Sequence, residues 1–241
     1  MKIHGFLGLW IGAALLAGCI SPFNAIVGSG KMVSETREVS GFDTVALSGV
    51  GDLTIIQGDK EGLTIQAEDN LLPELTSEVR GSTLYLQTRN GVNVMPTKGI
   101  QYTLHVKNLR GVNISGSGSV SADRLVTAGL NVNLSGSGRG NLSQVDAQSL
   151  DVRISGSGRF DLSGQVDSLD IAISGSGKFD AGELQTRQAQ VTISGSGSAT
   201  LWVEDNLSAR ISGSGRISYY GSPTISESVS GSGSMTSLGI K

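Results

Sequence analysis

The tetrapeptide Ser-Gly-Ser-Gly occurs seven times, beginning at Ser115, Ser135, Ser155, Ser174, Ser194, Ser212 and Ser230, in steps of 20, 20, 19, 20, 18 and 18 residues. A self-similar period of this length marks a solenoid, in which each repeat is one structural turn. Flexible linkers also carry Gly/Ser tetrapeptides, but the flanks of these copies are not linker-like. Leu130, Val132 and Leu134 lead into Ser135; Leu150, Val152 and Ile154 into Ser155; Leu169, Ile171 and Ile173 into Ser174. Period-two alternation puts these side chains on one face of a strand. Asn131, Asn133, Asp151 and Arg153 fall on the other face. The alternation resumes after the tetrapeptide, as in Arg159-Phe160-Asp161-Leu162 and Lys178-Phe179-Asp180-Ala181. Each repeat thus reads as strand, Gly-Ser-Gly corner, strand, and a polar return such as Ser163-Gly164-Gln165.

One repeat buries little alone. Stacked at about 4.8 Å per turn, successive repeats build parallel sheets around a continuous apolar column. The expected fold is therefore all-β, a right-handed parallel β-helix (β-solenoid) with about 20 residues per turn. Glycine suits the corners because it accepts positive φ and lets neighbouring turns approach closely. The serines are expected to tie up corner backbone groups and to bond one another along the column. Upstream the repeat is worn: Thr44 to Gly51 keeps strand and corner with Val50 in place of serine. Leu53-Thr54-Ile55, Leu63-Thr64-Ile65, Leu84-Tyr85-Leu86 and Tyr102 to Val106 are further alternating strands. The pattern predicts one continuous solenoid over 42–241, on the order of ten turns, with longer loops leaving it at 70–74 and 90–99.

The N-terminus opens with Met1-Lys2-Ile3-His4, an apolar run from Gly5 to Ala17, and then Leu16-Ala17-Gly18-Cys19. The run falls short of the roughly 20 residues a membrane span needs, and small residues stand where a signal peptidase cuts. Residues 1–18 read as a signal peptide and 19–41 as a tether. The four residues ending at Cys19 resemble the lipobox of bacterial lipoproteins, which implies lipidation of Cys19 and attachment to a membrane through it; an ordinary signal peptide with an incidental cysteine is the plainer alternative. Ile20 follows rather than Asp, which by the same resemblance implies the outer membrane where the host has two. Cys19 is the sole cysteine, so an exported chain has no internal disulfide framework. Net charge is −3 and charged residues make up 16%, which argues against nucleic acid as a partner.

Gly28-Ser29-Gly30, Glu38-Val39-Ser40-Gly41-Phe42, Leu47-Ser48-Gly49, Ile56-Gln57-Gly58, Asp69-Asn70-Leu71-Leu72 and the Ser-Gly-Ser-Gly copies occur in that order. In this series the chain resembles the bacterial family described as putative auto-transporter adhesin, head GIN domain, over about Ile26 to Gly233. The resemblance implies a parallel β-helix domain of the cell envelope, often on lipoproteins. It carries no established catalytic residues, so none is transferred.

Counting from the corners exposes two outward columns. Arg139, Arg159 and Lys178 follow the tetrapeptides directly, and Asp161 and Asp180 lie two positions on. A solvated, charge-balanced ladder is the plain reading; a groove for a polar polymer such as a glycan is the functional one. Asp161 and Asp180, about 5 Å apart on adjacent turns, have the spacing of a retaining glycosidase pair, yet each has its own basic neighbour. Trp202 and Tyr220 share one offset from consecutive corners and are placed to stack, either as anchors for a sugar or partner protein or as a cover for the apolar column. His105 alternates with Leu104 and Val106 and should face solvent; no metal cluster can be drawn and no cofactor is expected. The reading is a non-catalytic envelope lipoprotein with an extended binding surface, whose partners are the membrane and a glycan or envelope protein. A structural, self-assembling homo-oligomer is the alternative, and a polysaccharide-active enzyme the third.

Overall fold

The computed structural model describes residues 25–241; Cys19 and the predicted signal peptide lie outside them. From Gly111 onward each sequence repeat is one turn of a parallel β-solenoid. Leu125–Gly136 pairs in parallel with Arg139–Gly156, which pairs with Arg159–Gly175, then Lys178–Gly195, then Ser198–Gly213. Residues one repeat apart stack. Leu134, Ile154, Ile173, Ile193 and Ile211 form one inward row, each exposed by 1% or less. Unequal side chains are matched across turns: a Cβ on Gly140 would lie 2.0 Å from the ring of Phe160, its partner on the next turn.

The corners show why two glycines recur. The first, from Gly116 to Gly231, holds φ between +108° and +118°. A Cβ there would lie 2.5–2.7 Å from the carbonyl oxygen of the equivalent glycine one turn back. The second faces inward: a Cβ on Gly158 would lie 2.5 Å from Leu134, and one on Gly177 2.5 Å from Ile154. The expected serine-to-serine bonds do not carry the column. Among the described residues it is bonded through the backbone, as where the amides of Ser137, Ser157 and Ser176 donate to the carbonyls of Gly116, Gly136 and Gly156, each at 2.9 Å. The serine side chains face solvent.

The upstream half corrects the expectation of a single continuous stack. Thr44–Gly49 sits between Gly111–Gly116 and Thr83–Thr88, and Asp52–Gln57 between Ser119–Ala122 and Gln101–Val106, all in parallel. The order of turns in space is therefore 83–106, 44–57, 111–122 and onward, and the solenoid has about six turns rather than ten. The remaining strands run antiparallel and close this end. Gly62–Glu68 pairs with both Met32–Arg37 and Gln101–Val106, and Leu75–Arg80 pairs with Thr83–Thr88. Alternation of apolar residues is common to both kinds of pairing, so it cannot separate them. Connection length can: Gly81-Ser82 is a two-residue link, which only an antiparallel pair can use.

The expected tether, 19–41, is folded from Ala25 on: Ala25–Val27 and Met32–Arg37 are both strands. Ala25–Val27 pairs with Asn93–Met95, within the segment expected to loop away. The two are locked by Glu68, which is 0% exposed. Its carboxylate accepts the amides of Gly30 (2.6 Å) and Thr97 (2.8 Å) and the Thr97 hydroxyl. A Cβ on Gly28 would fall 1.8 Å from that carboxylate. Beside it the Ser29 hydroxyl donates to Asp69 (2.6 Å), and Asn70 accepts the Ser29 amide (2.9 Å) and donates to the Val27 carbonyl (2.7 Å). Gly28-Ser29-Gly30 and Asp69-Asn70, remote in sequence, are the two halves of one latch.

Two outcomes follow from these contacts. Gly156→Ala should lower stability by about 2–4 kcal/mol, because it adds both backbone strain and a carbonyl clash. Ser157→Ala, on the exposed side of the same corner, should stay within about 0.5 kcal/mol. Guanidinium unfolding of both variants compares them, and equal shifts would refute the corner argument. The second outcome concerns pH. The Thr97 hydroxyl first, then the amides of Thr97 and Gly30, hold the Glu68 carboxyl below its ordinary 4.5 against the opposing effect of burial. The Ser29 hydroxyl and Lys31 likewise hold Asp69 below 3.8. Depressed folded values mean the latch contributes its full stability above pH 4.5 and loses it as pH falls through the lowered values. The thermal midpoint of Glu68→Gln should lie below wild type at pH 7, and the gap should narrow as pH falls below 4.5; a gap constant with pH would contradict this.

Candidate binding surface

Outward residues of the solenoid fall into rows set by the same register as the core. The first row runs through Arg139, Arg159, Lys178, Ser198 and Arg216, and beside it lie Asn141, Asp161, Asp180, Thr200 and Ser218. The Arg159 Nε donates to both oxygens of Asp161 at 3.0 Å. Lys178 Nζ lies 3.8 Å from Asp180. Asp161 and Asp180 are in register on neighbouring turns, but each is tied to its own cation. They form two ion pairs rather than two carboxylates facing one reaction centre. His105 is exposed.

The return segments, read from sequence only as polar turns, form the larger concavity. A groove of about 560 Å³ crosses successive turns, with Asp146, Gln165, Asp167, Gln185, Arg187 and Glu204 among the polar residues on its walls. The buried Ala147 and Val166 lie beneath it, and Val126, 48% exposed, continues the outward row of Asp146 at one end. Gln57 fixes the edge. Its amide oxygen accepts the Val126 N–H at 2.8 Å and its amide nitrogen donates to the Val126 carbonyl at 2.9 Å. Between adjacent turns, Gln185 donates to Glu204 at 2.6 Å, and Arg187 to Asp205 at 3.3 Å. Planar amides and carboxylates repeated at about 4.8 Å present donors and acceptors to an extended, hydroxyl-rich ligand. The signal available in sequence was the glutamine recurring seven or eight residues past a corner, at Gln165 and Gln185.

Asp146, Gln165, Gln185, Trp202 and Tyr220 make one continuous outward row, so the two aromatics stand on adjacent turns at the end of the row that lines the groove. Both rings are half-buried. Their partner, which the sequence reading missed, is Lys241: its ammonium lies 5.3 Å from the Trp202 ring and 5.2 Å from that of Tyr220.

A capped parallel solenoid with long in-register polar rows belongs to the class of repeat scaffolds that present extended surfaces. Within that class, the chain belongs to the family described as putative auto-transporter adhesin, head GIN domain, whose model matches residues 41–223. It is similar to the crystal structure of a putative adhesin from Bacteroides fragilis, at 28% identity and a TM-score of 0.82, over 89% of this chain and 100% of that one. A putative lipid binding protein from Parabacteroides distasonis is 27% identical with a TM-score of 0.78, over 89% and 99% of the two chains. A putative adhesin from the same organism, 22% identical with a TM-score of 0.72 over 89% and 100%, shares the fold. No curated protein matches the chain.

The Arg159–Asp161 pair lies half in solvent, where such pairs contribute about 0–1 kcal/mol. A double-mutant cycle with Arg159→Ala and Asp161→Ala should give a coupling below about 1 kcal/mol in equilibrium unfolding. A larger coupling would show that the ladder holds the fold together.

Proposed function

We propose that this chain is an exported, non-catalytic envelope lipoprotein that binds a polar polymer, a glycan or glycan-bearing envelope component, along the return-face groove. Membership of an adhesin-type family supports an exported or surface protein. The observation that carries the ligand class is the groove itself: walls of amide, carboxylate and guanidinium groups, and a repeat of one turn that suits an equally repetitive ligand. Lipidation at Cys19 would attach the chain at its capped end. Five residues lie between Cys19 and Ala25, a reach of at most about 22 Å, and Ala25–Val27 pairs into the cap. The later turns and the groove would then point away from the membrane.

Screening the soluble chain from Ile20 against glycans and envelope extract tests this. Saturable binding should weaken at least tenfold in Gln165→Ala/Gln185→Ala/Arg187→Ala and persist in Asp161→Asn/Asp180→Asn. Binding lost only in the second variant moves the site to the charged ladder. No binding to any component retires the reading in favour of self-assembly. The edge available for it is the last turn, where Ile225 and Val229 are exposed on either side of Glu227, and light scattering would then report the oligomer.

A further inference from the structure

Four groups converge on the Lys241 ammonium. Besides the Trp202 and Tyr220 rings, the Gly182 carbonyl accepts from it at 2.6 Å, and the Glu183 carboxylate accepts as well. Two aromatic faces attract a cation through their quadrupoles, while a carbonyl and a carboxylate take up N–H donors. The fold builds this constellation from a mismatch in turn length. Register between Lys178–Gly195 and the shorter Ser198–Gly213 breaks between Ala181 and Gln185. Gly182 and Glu183 therefore leave the ladder on that side, next to Trp202, which pairs with Gln185. Lys241 reaches the site from outside the repeat. The main chain before it is held by Leu238 N–H to the Tyr219 carbonyl (2.7 Å) and Gly221 N–H to the Gly239 carbonyl (2.9 Å), and Ile240 between is 85% exposed.

We infer that Trp202, Tyr220, Glu183 and the Gly182 carbonyl form a binding site for a primary ammonium group on a ligand, and that Lys241 is its displaceable occupant. The site selects a primary amine because two of the four contacts are hydrogen bonds. A quaternary ammonium satisfies the rings but has no N–H for Gly182 or Glu183. The ammonium of an ethanolamine headgroup and that of an amino sugar present the same chemistry. The inference is independent of what fills the groove, since it rests on the Lys241 contacts alone.

The test uses fluorescence. In the chain from Ile20 onward Trp202 is the sole tryptophan, the other being Trp10. Lys241→Ala should itself shift Trp202 emission. Titrated with ethanolamine or glucosamine, it should then show a saturable change with an apparent affinity at least tenfold tighter than wild type. Choline should bind more weakly than either, and adding Glu183→Gln should remove the response. Lys241→Gln, which keeps a long side chain, should behave like Lys241→Ala, separating loss of the ammonium from any loosening of the fold. A response to one amine alone supports the site and identifies its source as headgroup or amino sugar. No saturable change with either amine, equal affinity for choline, or identical titrations of wild type and Lys241→Ala would overturn the inference. None of these outcomes bears on the groove variants, which leave all four groups in place.

Discussion

The structure depends on a contact between backbones: the stacking of one corner directly on the next. With a glycine carbonyl 2.5–2.7 Å from where a Cβ would stand, the turns can close up to hydrogen-bonding distance only if that Cβ is missing. Closure then aligns everything else. Once Ser157 N–H meets the Gly136 carbonyl, the apolar residue before each corner must lie over its equivalent one turn back, and the core becomes a set of like-on-like rows. Phe160 and Phe179 stack in this way, with Gly140 giving way beneath the first ring. Hydrophobic burial supplies the driving force, and the corner supplies the register that makes the burial regular.

A stack of parallel turns has two exposed ends, and the chain treats them differently. At one end Gly62–Glu68 and Leu75–Arg80 turn antiparallel, and the Glu68 latch ties the first strand down over them. At the other, Thr224–Gly231 pairs on one side only, with Ser198–Gly213, and stays exposed. Here the inward row changes character. Val112, Val132, Val152, Ile171, Val191 and Ala209 occupy one position on successive turns, and the next residue in that row is Glu227. A further turn stacked on this edge would have to bury that carboxylate against apolar neighbours. Natural sheets guard open edges with inward-pointing charges of this kind, so Glu227 opposes the end-to-end association that Ile225 and Val229 on the same strand would otherwise invite.

What was legible in the sequence follows from this division of labour. The repeat fixed the turn length, the inward rows and the need for glycine at Gly156 and Gly158, since steric demands leave few residue types possible there. It also placed Trp202 opposite Tyr220, because equal offsets from consecutive corners survive in the register. The cap was not legible. Leu63-Thr64-Ile65 alternates like any strand of the solenoid, and its partners Met32–Arg37 and Gln101–Val106 are set by contacts made across the chain. The latch was visible only as two separate motifs, and Lys241, far along the chain from Trp202, carried no local sign of where its ammonium rests.

The groove and the ammonium site were hard to see for a related reason, which also explains why they lie where they do. Every break in register within the repeats falls on the strand after the corner or on the return: between Leu142 and Val145, Asp161 and Ser163, Ala181 and Gln185, and Thr186 and Gln188. The corners and the strands before them have none. Changes in turn length are therefore absorbed on one side of the solenoid, where they bend the backbone and turn polar groups such as the Gly182 carbonyl out of the ladder. The rest of the turn is held by the corner contact and the core rows, and its concavities are smaller, about 340 Å³ beside Asn113 and Ser135 and about 330 Å³ beside Thr192 and Arg210. A solenoid whose corner is this restrictive can vary its surface chemistry at any outward position, and its 560 Å³ groove opens along the return. Gln165, Gln185, Trp202 and Glu204 lie there, while the more regular Arg159–Asp161 ladder stays flat and paired with itself.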